Sequence, residues 1–212
     1  MIVFPQSTLV GKPVPKTAFY RNLEVNAKVR QRFVDDVASV TWTAKIAPST
    51  LNVSDGKTVH EIAVFRMELK CKEVPTEVLT FIDRQMPRHT VFLLQHEENF
   101  CLFVNYKEWH DATNAQFDIV KTFQTEWRMA NDLSLELDGQ DMDAVYSCIV
   151  KQIAGETITS EAKDIHTAVV QTKEHEALLQ KIATLEAKVA KERQPKKKFE
   201  LHQQLVNLRN KK

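Results

Sequence analysis

Glycine and cysteine are scarce in this sequence. Its four glycines form no G-x-G-x-x-G or G-x-x-x-x-G-K-[ST] string, so no phosphate-binding loop is predicted. The three cysteines, Cys71, Cys101 and Cys148, form no C-x-x-C pair, and we expect buried, reduced thiols in a cytosolic protein. The histidines lack the spacing of zinc ligands, and no serine lies in a G-x-S-x-G turn. The sequence therefore predicts no resident metal or cofactor.

Long apolar runs are also absent. No stretch approaches the roughly 20 apolar residues of a membrane span. The first residues, MIVFPQSTLVGKP, have a short apolar run without a basic segment before it or a small-residue cleavage site after it. We expect a cytoplasmic protein that has no membrane contact.

Charge is unevenly distributed along the chain. The formal net charge is only +1, but residues 172–212 contain eleven Lys and Arg against five Glu, a net +6, which leaves −5 for the rest. The pattern is typical of a mildly acidic body that carries a basic tail.

Helical and strand patterns alternate through the first two thirds of the chain. Apolar residues at helical spacing predict helices at 26–40, 75–86 and 141–154, the last with Asp141 as N-cap and Gly155 after its end. Runs rich in β-formers or with alternating polarity predict strands at 41–46, 51–53, 59–70, 90–95, 99–106, 115–127 and 133–137. The proline-rich start is expected to be an extended arm. This pattern indicates an α+β (mixed α/β) fold in which helices pack on a central mixed β-sheet.

The composition changes near residue 160, so we predict a globular domain at 1–158 and a helical extension at 159–212. Apolar residues of the extension recur at heptad spacing up to a break at Pro195 and then resume out of register. The seam is Leu178, Ile182, Leu185, Val189, Leu201, Leu205 and Leu208. A hairpin within the chain and a coiled coil with a partner or a second copy both fit this stripe.

One pair of residues on the longest predicted strand is a candidate for catalysis. Glu68 and Lys70 are two residues apart and so share a strand face, and Asp55 lies 13 residues before Glu68. This arrangement resembles that of restriction-endonuclease-like nucleases, in which two carboxylates hold Mg²⁺, which orients a water against a phosphodiester, and a lysine stabilises the charge that develops on the nucleophile or the phosphate. However, Asp55-Gly56 is also an ordinary turn, and E-x-K arises by chance in a chain rich in Glu and Lys.

The basic tail is a candidate for binding nucleic-acid phosphate, because clustered cations displace counterions from a polyanion. The residues concerned are Arg193, Lys196, Lys197, Lys198 and Arg209. No aromatic side chains interleave with them for base stacking, so a solvated helix face fits the same pattern.

Several segments together resemble a bacterial family known as domain of unknown function 4391. They are PQSTLVGKPVPKTAFYRNL, VTWTAKIAPSTLNV, EIAVFRMELK, FQTEW, DAVYSCIVKQIAG and the Lys/Glu/Leu-rich end, which span essentially the whole chain. The resemblance implies a setting beside DNA methyltransferases and SNF2-type helicases in restriction-modification or phage-defence loci. It supplies no catalytic residue.

Two functions therefore remain open. The first is a non-enzymatic accessory subunit of a DNA restriction-modification or phage-defence complex, whose tail binds a methyltransferase or helicase subunit, or a second copy. The alternative is a Mg²⁺-dependent nuclease that uses Asp55, Glu68 and Lys70.

Overall fold

The strand that contains the candidate Glu68 lies inside a seven-stranded sheet. The computed structural model describes residues 2–18, 26–111, 116–158 and 164–209. The chain divides into two compact units, Met1–Glu156 and Thr157–Lys212. The strands are β1 Leu9–Pro13, β2 Val37–Ile46, β3 Ile62–Leu69, β4 His89–His96, β5 Asn99–Asp111, β6 Gln116–Gln124 and β7 Arg128–Met129. The helices are α1 Ala27–Asp36, α2 Pro48–Leu51, α3 Thr76–Gln85, α4 Met142–Ala154, α5 Ile165–Lys191 and α6 Pro195–Arg209.

The sheet is mixed, as predicted. Its strand order is β1-β2-β3-β4-β5-β6, and β7 pairs with one end of β5. Strands β3 and β4 run parallel, and the other pairs are antiparallel. Parallel neighbours cannot be joined by a tight turn, and α3 supplies the crossover between them.

Apolar side chains cover both faces of the central strands. On one face, Phe65 and Met67 of β3 and Phe92 of β4 belong to a buried cluster with Phe33 of α1 and Leu79 of α3. Because side chains alternate along a strand, the intervening residues Ile62, Val64 and Val91 point to the opposite face, where they are also buried. Coverage of both faces explains why residues 62–65 of β3 and 91–94 of β4 are apolar at every position.

Helix α4 follows the prediction closely. Asp141 is its N-cap and accepts a hydrogen bond from Ala144 N at 2.8 Å. Gly155 follows its last residue with φ 54°, a positive value that favours glycine. The helix packs against β5 and β6.

The predicted extended arm at the start of the chain is partly wrong. Leu9–Pro13 pairs with β2 as the outer strand of the sheet, and the register shifts between Leu9 and Lys12, where Gly11 has φ 63°. Such a bulge and a terminal proline are tolerated at a sheet edge, because an edge strand has neighbours on one side only.

Two predicted strands are wrong. Leu51 ends the helical turn α2, and Asn52 follows it with φ 56°. Residues 133–137 form no strand, although Leu133 and Leu135 are buried. The alternating pattern of this segment arises without a neighbouring strand. The side chain of Gln152 in α4 bonds both Glu136 N and Glu136 O at 2.8 Å and so takes the place of a second strand's backbone.

The boundaries of several helices and strands also shift. Strand β3 begins at Ile62, three residues after the start of the predicted strand, and β5 continues to Asp111, five residues beyond its predicted end. The helix predicted at 26–40 ends at Asp36, and β2 begins at Val37, four residues before the predicted strand. No helix in the described part of the chain has the length and apolar character needed to cross a membrane.

Candidate functional site

The two long helices of the C-terminal unit form a hairpin. Asp164 caps α5 by accepting a hydrogen bond from Thr167 N at 2.8 Å. The helix ends at Lys191, and α6 begins at Pro195, a residue suited to the first helical position because it has no N–H to leave unpaired. The two helices contact each other across this three-residue connection. We refer to residues 165–209 as the hairpin.

The predicted seam lies within the hairpin. Ile182 of α5 and Leu205 of α6 are buried, 8% and 4% exposed. The other five seam residues, Leu178, Leu185, Val189, Leu201 and Leu208, are half-buried. Of the two arrangements that the heptad pattern allows, the chain therefore contains the hairpin.

The predicted basic residues divide into two groups. Arg193, Lys196, Lys197 and Lys198 are exposed at the connection and in the first turn of α6, and we call them the basic tip. The N-terminal end of a helix carries a partial positive charge, which adds to the field of this tip. Arg209, near the other end of α6, is paired instead, with its Nη2 2.6 Å from Glu186 Oε1.

A groove runs along the exposed side of α5. It consists of two depressions of about 700 and 440 Å³, both lined by Gln180, Thr184 and Lys188. The first also contacts Leu201 of α6 and the second Leu208. We call the two depressions together the hairpin groove.

Asp55 and Glu68 lie apart in the structure. Asp55 Oδ1 is 3.0 Å from His60 Nδ1, in the loop before β3. Asp143 of α4 fixes that loop by accepting hydrogen bonds from the backbone N–H groups of residues 57–59 at 2.6–3.1 Å. Glu68 is six residues beyond the start of β3, about 20 Å further at ~3.3 Å per residue. The strand thus separates the two carboxylates.

Glu68 and Lys70 each have partners other than Asp55. Glu68 Oε2 accepts a hydrogen bond from Ser39 Oγ at 3.0 Å, across to β2. Lys70 Nζ donates to Val34 O at 2.8 Å, a carbonyl in the last turn of α1. Lys16 Nζ bonds Val37 O close by, and burial together with the charge of Lys70 lowers the pKa of Lys16. The described residues contain no group of three or more His, Cys, Asp or Glu side chains able to hold a metal ion.

A buried polar cluster at the other end of the sheet was missed by sequence reasoning. Lys107 Nζ lies 2.7 Å from Asp83 Oδ1, and both side chains are 0% exposed. Asn105 Nδ2 donates to Asp83 Oδ2 at 2.8 Å, and Tyr146 Oη donates to Asn105 O at 3.0 Å. His89 packs edge-on against the Tyr146 ring, with 4.4 Å between ring centroids. The available signal was a carboxylate on the apolar face of α3, one turn after Leu79.

Burial dominates the protonation behaviour of this cluster. It raises the pKa of Asp83 and lowers that of Lys107, although their mutual attraction opposes both shifts. Burial and the nearby Lys107 lower the pKa of His89 to about 3. With its hydrogen bonds satisfied inside the protein, the cluster is suited to stabilising the fold.

Fold and site together define a mixed α/β domain linked to a helical hairpin. The chain belongs to the family described as domain of unknown function (DUF4391), whose model matches residues 2–211. The membership inferred from sequence segments is thereby confirmed. Comparisons with curated proteins and with solved structures gave no match.

Proposed function

We propose that this protein is a non-enzymatic accessory subunit of a bacterial DNA restriction-modification or phage-defence complex, and that it acts in the cytoplasm. Its hairpin docks onto a DNA methyltransferase or helicase subunit, while the sheet unit serves as the scaffold. The observation that carries the proposal is the exposed surface of the hairpin, where the basic tip and the hairpin groove lie on the same pair of helices. The setting implied by the family resemblance supports the choice of partner.

Co-purification with the proposed partner tests this proposal. Full-length protein is co-expressed with a DNA methyltransferase or helicase subunit of the kind proposed as its partner, and the double variant Ile182→Asp/Leu205→Asp is compared with wild type. A carboxylate in place of each buried seam residue should open the hairpin, because an unpaired charge is costly to bury. We expect the variant to lose the partner.

Two controls make the result interpretable. Gln204→Asp adds a charge to an exposed position of α6 and should leave binding unchanged. The three tryptophans, Trp42, Trp109 and Trp127, all lie in the first unit, so their emission reports whether the sheet remains folded. Retention of the partner by a variant whose circular dichroism shows a lost hairpin would contradict the proposed role.

Contact with DNA phosphates by the basic tip is a second candidate, favoured by the exposure of all four residues. Electrophoretic mobility shifts at increasing salt test it. Wild-type binding should weaken steeply as salt rises, and the variant Lys196→Gln/Lys197→Gln/Lys198→Gln should show a shallower dependence by roughly one unit per lost phosphate contact. Equal salt dependence in the two proteins would argue against contact through the tip.

A further inference from the structure

The hairpin groove combines an apolar floor with a basic rim. Ala183 and Ala187 of α5 line the first depression with Leu201, and Ala177 lines the second with Leu208. The three alanines are exposed to solvent, and the two leucines are half-buried. The apolar residues of a partner can cover this concave apolar surface.

We propose that this groove docks an acidic amphipathic helix supplied by the protein partner. The inference deepens the proposed function and rests on it, since it names the part of the hairpin that binds and the chemistry of what it binds.

The dimensions of the groove suit a helix. Its lining on α5 extends from Ala177 to Lys191, which is about 21 Å at ~1.5 Å per residue. A docked helix of about four turns spans that length. Small side chains on α5 permit the backbone of a docked helix to approach closely. The docked helix would present apolar side chains to the groove at positions i, i+3 or i+4, and i+7.

The charge of the rim selects an acidic occupant. Lys181, Lys188 and Lys191 border the groove, all exposed, and none forms an ion pair with another side chain in the described part of the chain. Glu192 also borders the groove, where its Oε1 accepts a hydrogen bond from Gln194 N at 2.8 Å, and three lysines against one glutamate leave the rim at a net charge of +2. Acidic side chains along the edges of a docked helix would meet the three lysines. Such complementarity fixes orientation and excludes wrong partners.

The same charges disfavour a second copy of this chain as the occupant. The apolar residues that α6 exposes are Phe199 and Val206, 63% and 41% exposed. Lys196 and Lys198 lie within three residues of Phe199. Seating α6 of a second copy in the groove would therefore bring lysines against the lysine rim, and like charges repel.

A nucleic acid is also a poorer fit to the groove. Phosphates would pair with the rim, but the alanine and leucine floor would stay uncovered, and no aromatic side chain lines it for stacking on bases. The four residues of the basic tip do not line the groove and are separate from its lysines.

A direct binding measurement tests the inference on the full-length protein. The probe is a fluorescein-labelled synthetic helical peptide of about four turns, with leucines on one face and glutamates on both edges. A peptide with lysine in place of each glutamate and a DNA duplex of similar length are compared with it by fluorescence anisotropy. We expect saturable binding of the acidic peptide, and binding of the basic peptide weaker by roughly tenfold or more.

Two charge-matched variants locate the site. Lys188→Glu/Lys191→Glu reverses the rim and should weaken binding of the acidic peptide roughly tenfold or more, whereas Lys196→Glu/Lys197→Glu reverses the same charge at the tip and should have a much smaller effect. Circular dichroism checks that both remain helical. Ala187→Trp, which fills the groove without changing charge, should also abolish binding.

Any of three results would overturn the inference. The first is that the acidic peptide does not bind, and the second is that the rim and tip variants lose peptide binding to the same extent. The third is that wild type binds the DNA duplex and the rim variant loses that binding. Co-purification separates this failure from that of the proposed function. If the rim variant retains the partner subunit and Ile182→Asp/Leu205→Asp loses it, the hairpin docks through another surface.

Discussion

Lys107 Nζ lies 2.7 Å from Asp83 Oδ1, in an ion pair between β5 and α3 from which solvent is excluded. The ammonium group also donates to Asp83 O at 3.1 Å and to Arg88 O at 2.6 Å. Three oxygens thus replace its hydration shell, and the pair ties α3, the crossover helix between β3 and β4, to β5. Loss of either partner leaves the other charge buried and unpaired.

Removing one member of this pair should therefore be strongly destabilising. We expect Lys107→Met to lower the free energy of unfolding by about 3–5 kcal/mol, because the Asp83 carboxylate keeps its burial and loses its counter-charge. The double variant Asp83→Leu/Lys107→Met should lose much less than the sum of the two single variants. Urea denaturation followed by tryptophan emission measures all four proteins. Additive losses would mean that the two side chains do not act as a pair.

His89 should make the protein less stable in acid. Its pKa falls from 6.5 to about 3 on folding, so between these values the unfolded state binds more protons than the folded state. Stability conferred by neutral His89 is therefore complete above pH 6.5 and declines as pH falls towards 3, by up to about 1.4 kcal/mol per pH unit. We expect urea denaturation of His89→Gln to show a shallower loss of stability between neutral pH and pH 4 than wild type.

The matched control for this pH dependence is His175→Gln, which replaces an exposed histidine on α5. It should follow the wild-type curve. A His89→Gln curve parallel to wild type would show that other groups, such as the neighbouring Lys107 and Asp143, account for the acid sensitivity.

The cysteines should differ in reactivity. Burial raises the pKa of Cys101 to about 11, and its Sγ donates to Thr125 O at 3.1 Å, whereas Cys71, which the sequence predicted to be buried, is exposed. Since the thiolate is the reactive form, iodoacetamide at pH 8 should modify Cys71 well before Cys101. Peptide mass mapping after timed quenching measures both rates. Unfolding in urea should abolish the difference, and equal rates in the folded protein would contradict the burial of Cys101.

Glu68 should be dispensable for metal chemistry and nearly so for stability. Since Asp55 does not approach it, we expect Glu68→Ala and wild type to show the same absence of DNA cleavage with Mg²⁺ or Mn²⁺. Loss of its exposed hydrogen bond to Ser39 should cost less than about 1 kcal/mol. Incubation of both proteins with plasmid DNA, with EDTA as the metal-free control, provides the measurement. Metal-dependent nicking by wild type that Glu68→Ala lacks would support the nuclease alternative instead.

Much of the fold could be predicted because its signals are local. The N-cap Asp141 and the apolar residues of α4 lie within a few turns of one another, so the sequence alone identifies the helix. Strand β1 was missed because its partner, Thr41–Ala44 of β2, is about 30 residues away, and prolines at 5, 13 and 15 indicate a loop. A strand at a sheet edge has weak local signals and is defined by its neighbour.

The candidate site on the hairpin could likewise be predicted only where its signals are local. Heptad spacing identified the seam residues, and composition identified the basic tip, since both are properties of one continuous segment. The groove could not be predicted, because it exists only where α6 lies against α5. Asp83 and Lys107 are 24 residues apart, and the residues next to each of them in sequence do not indicate that the two side chains pair.

The sequence by itself determined the helices and strands with strong local patterns, the change from an acidic body to a basic tail, and membership of the family. Only the tertiary structure decided that Glu68 and Lys70 bond to Ser39 and Val34 rather than converging with Asp55. It also decided that the seam is folded into a hairpin and that a lysine is buried in the sheet. The physical reason is that strand pairing, helix packing and the burial of charge depend on groups that are distant in sequence and meet only in the folded chain.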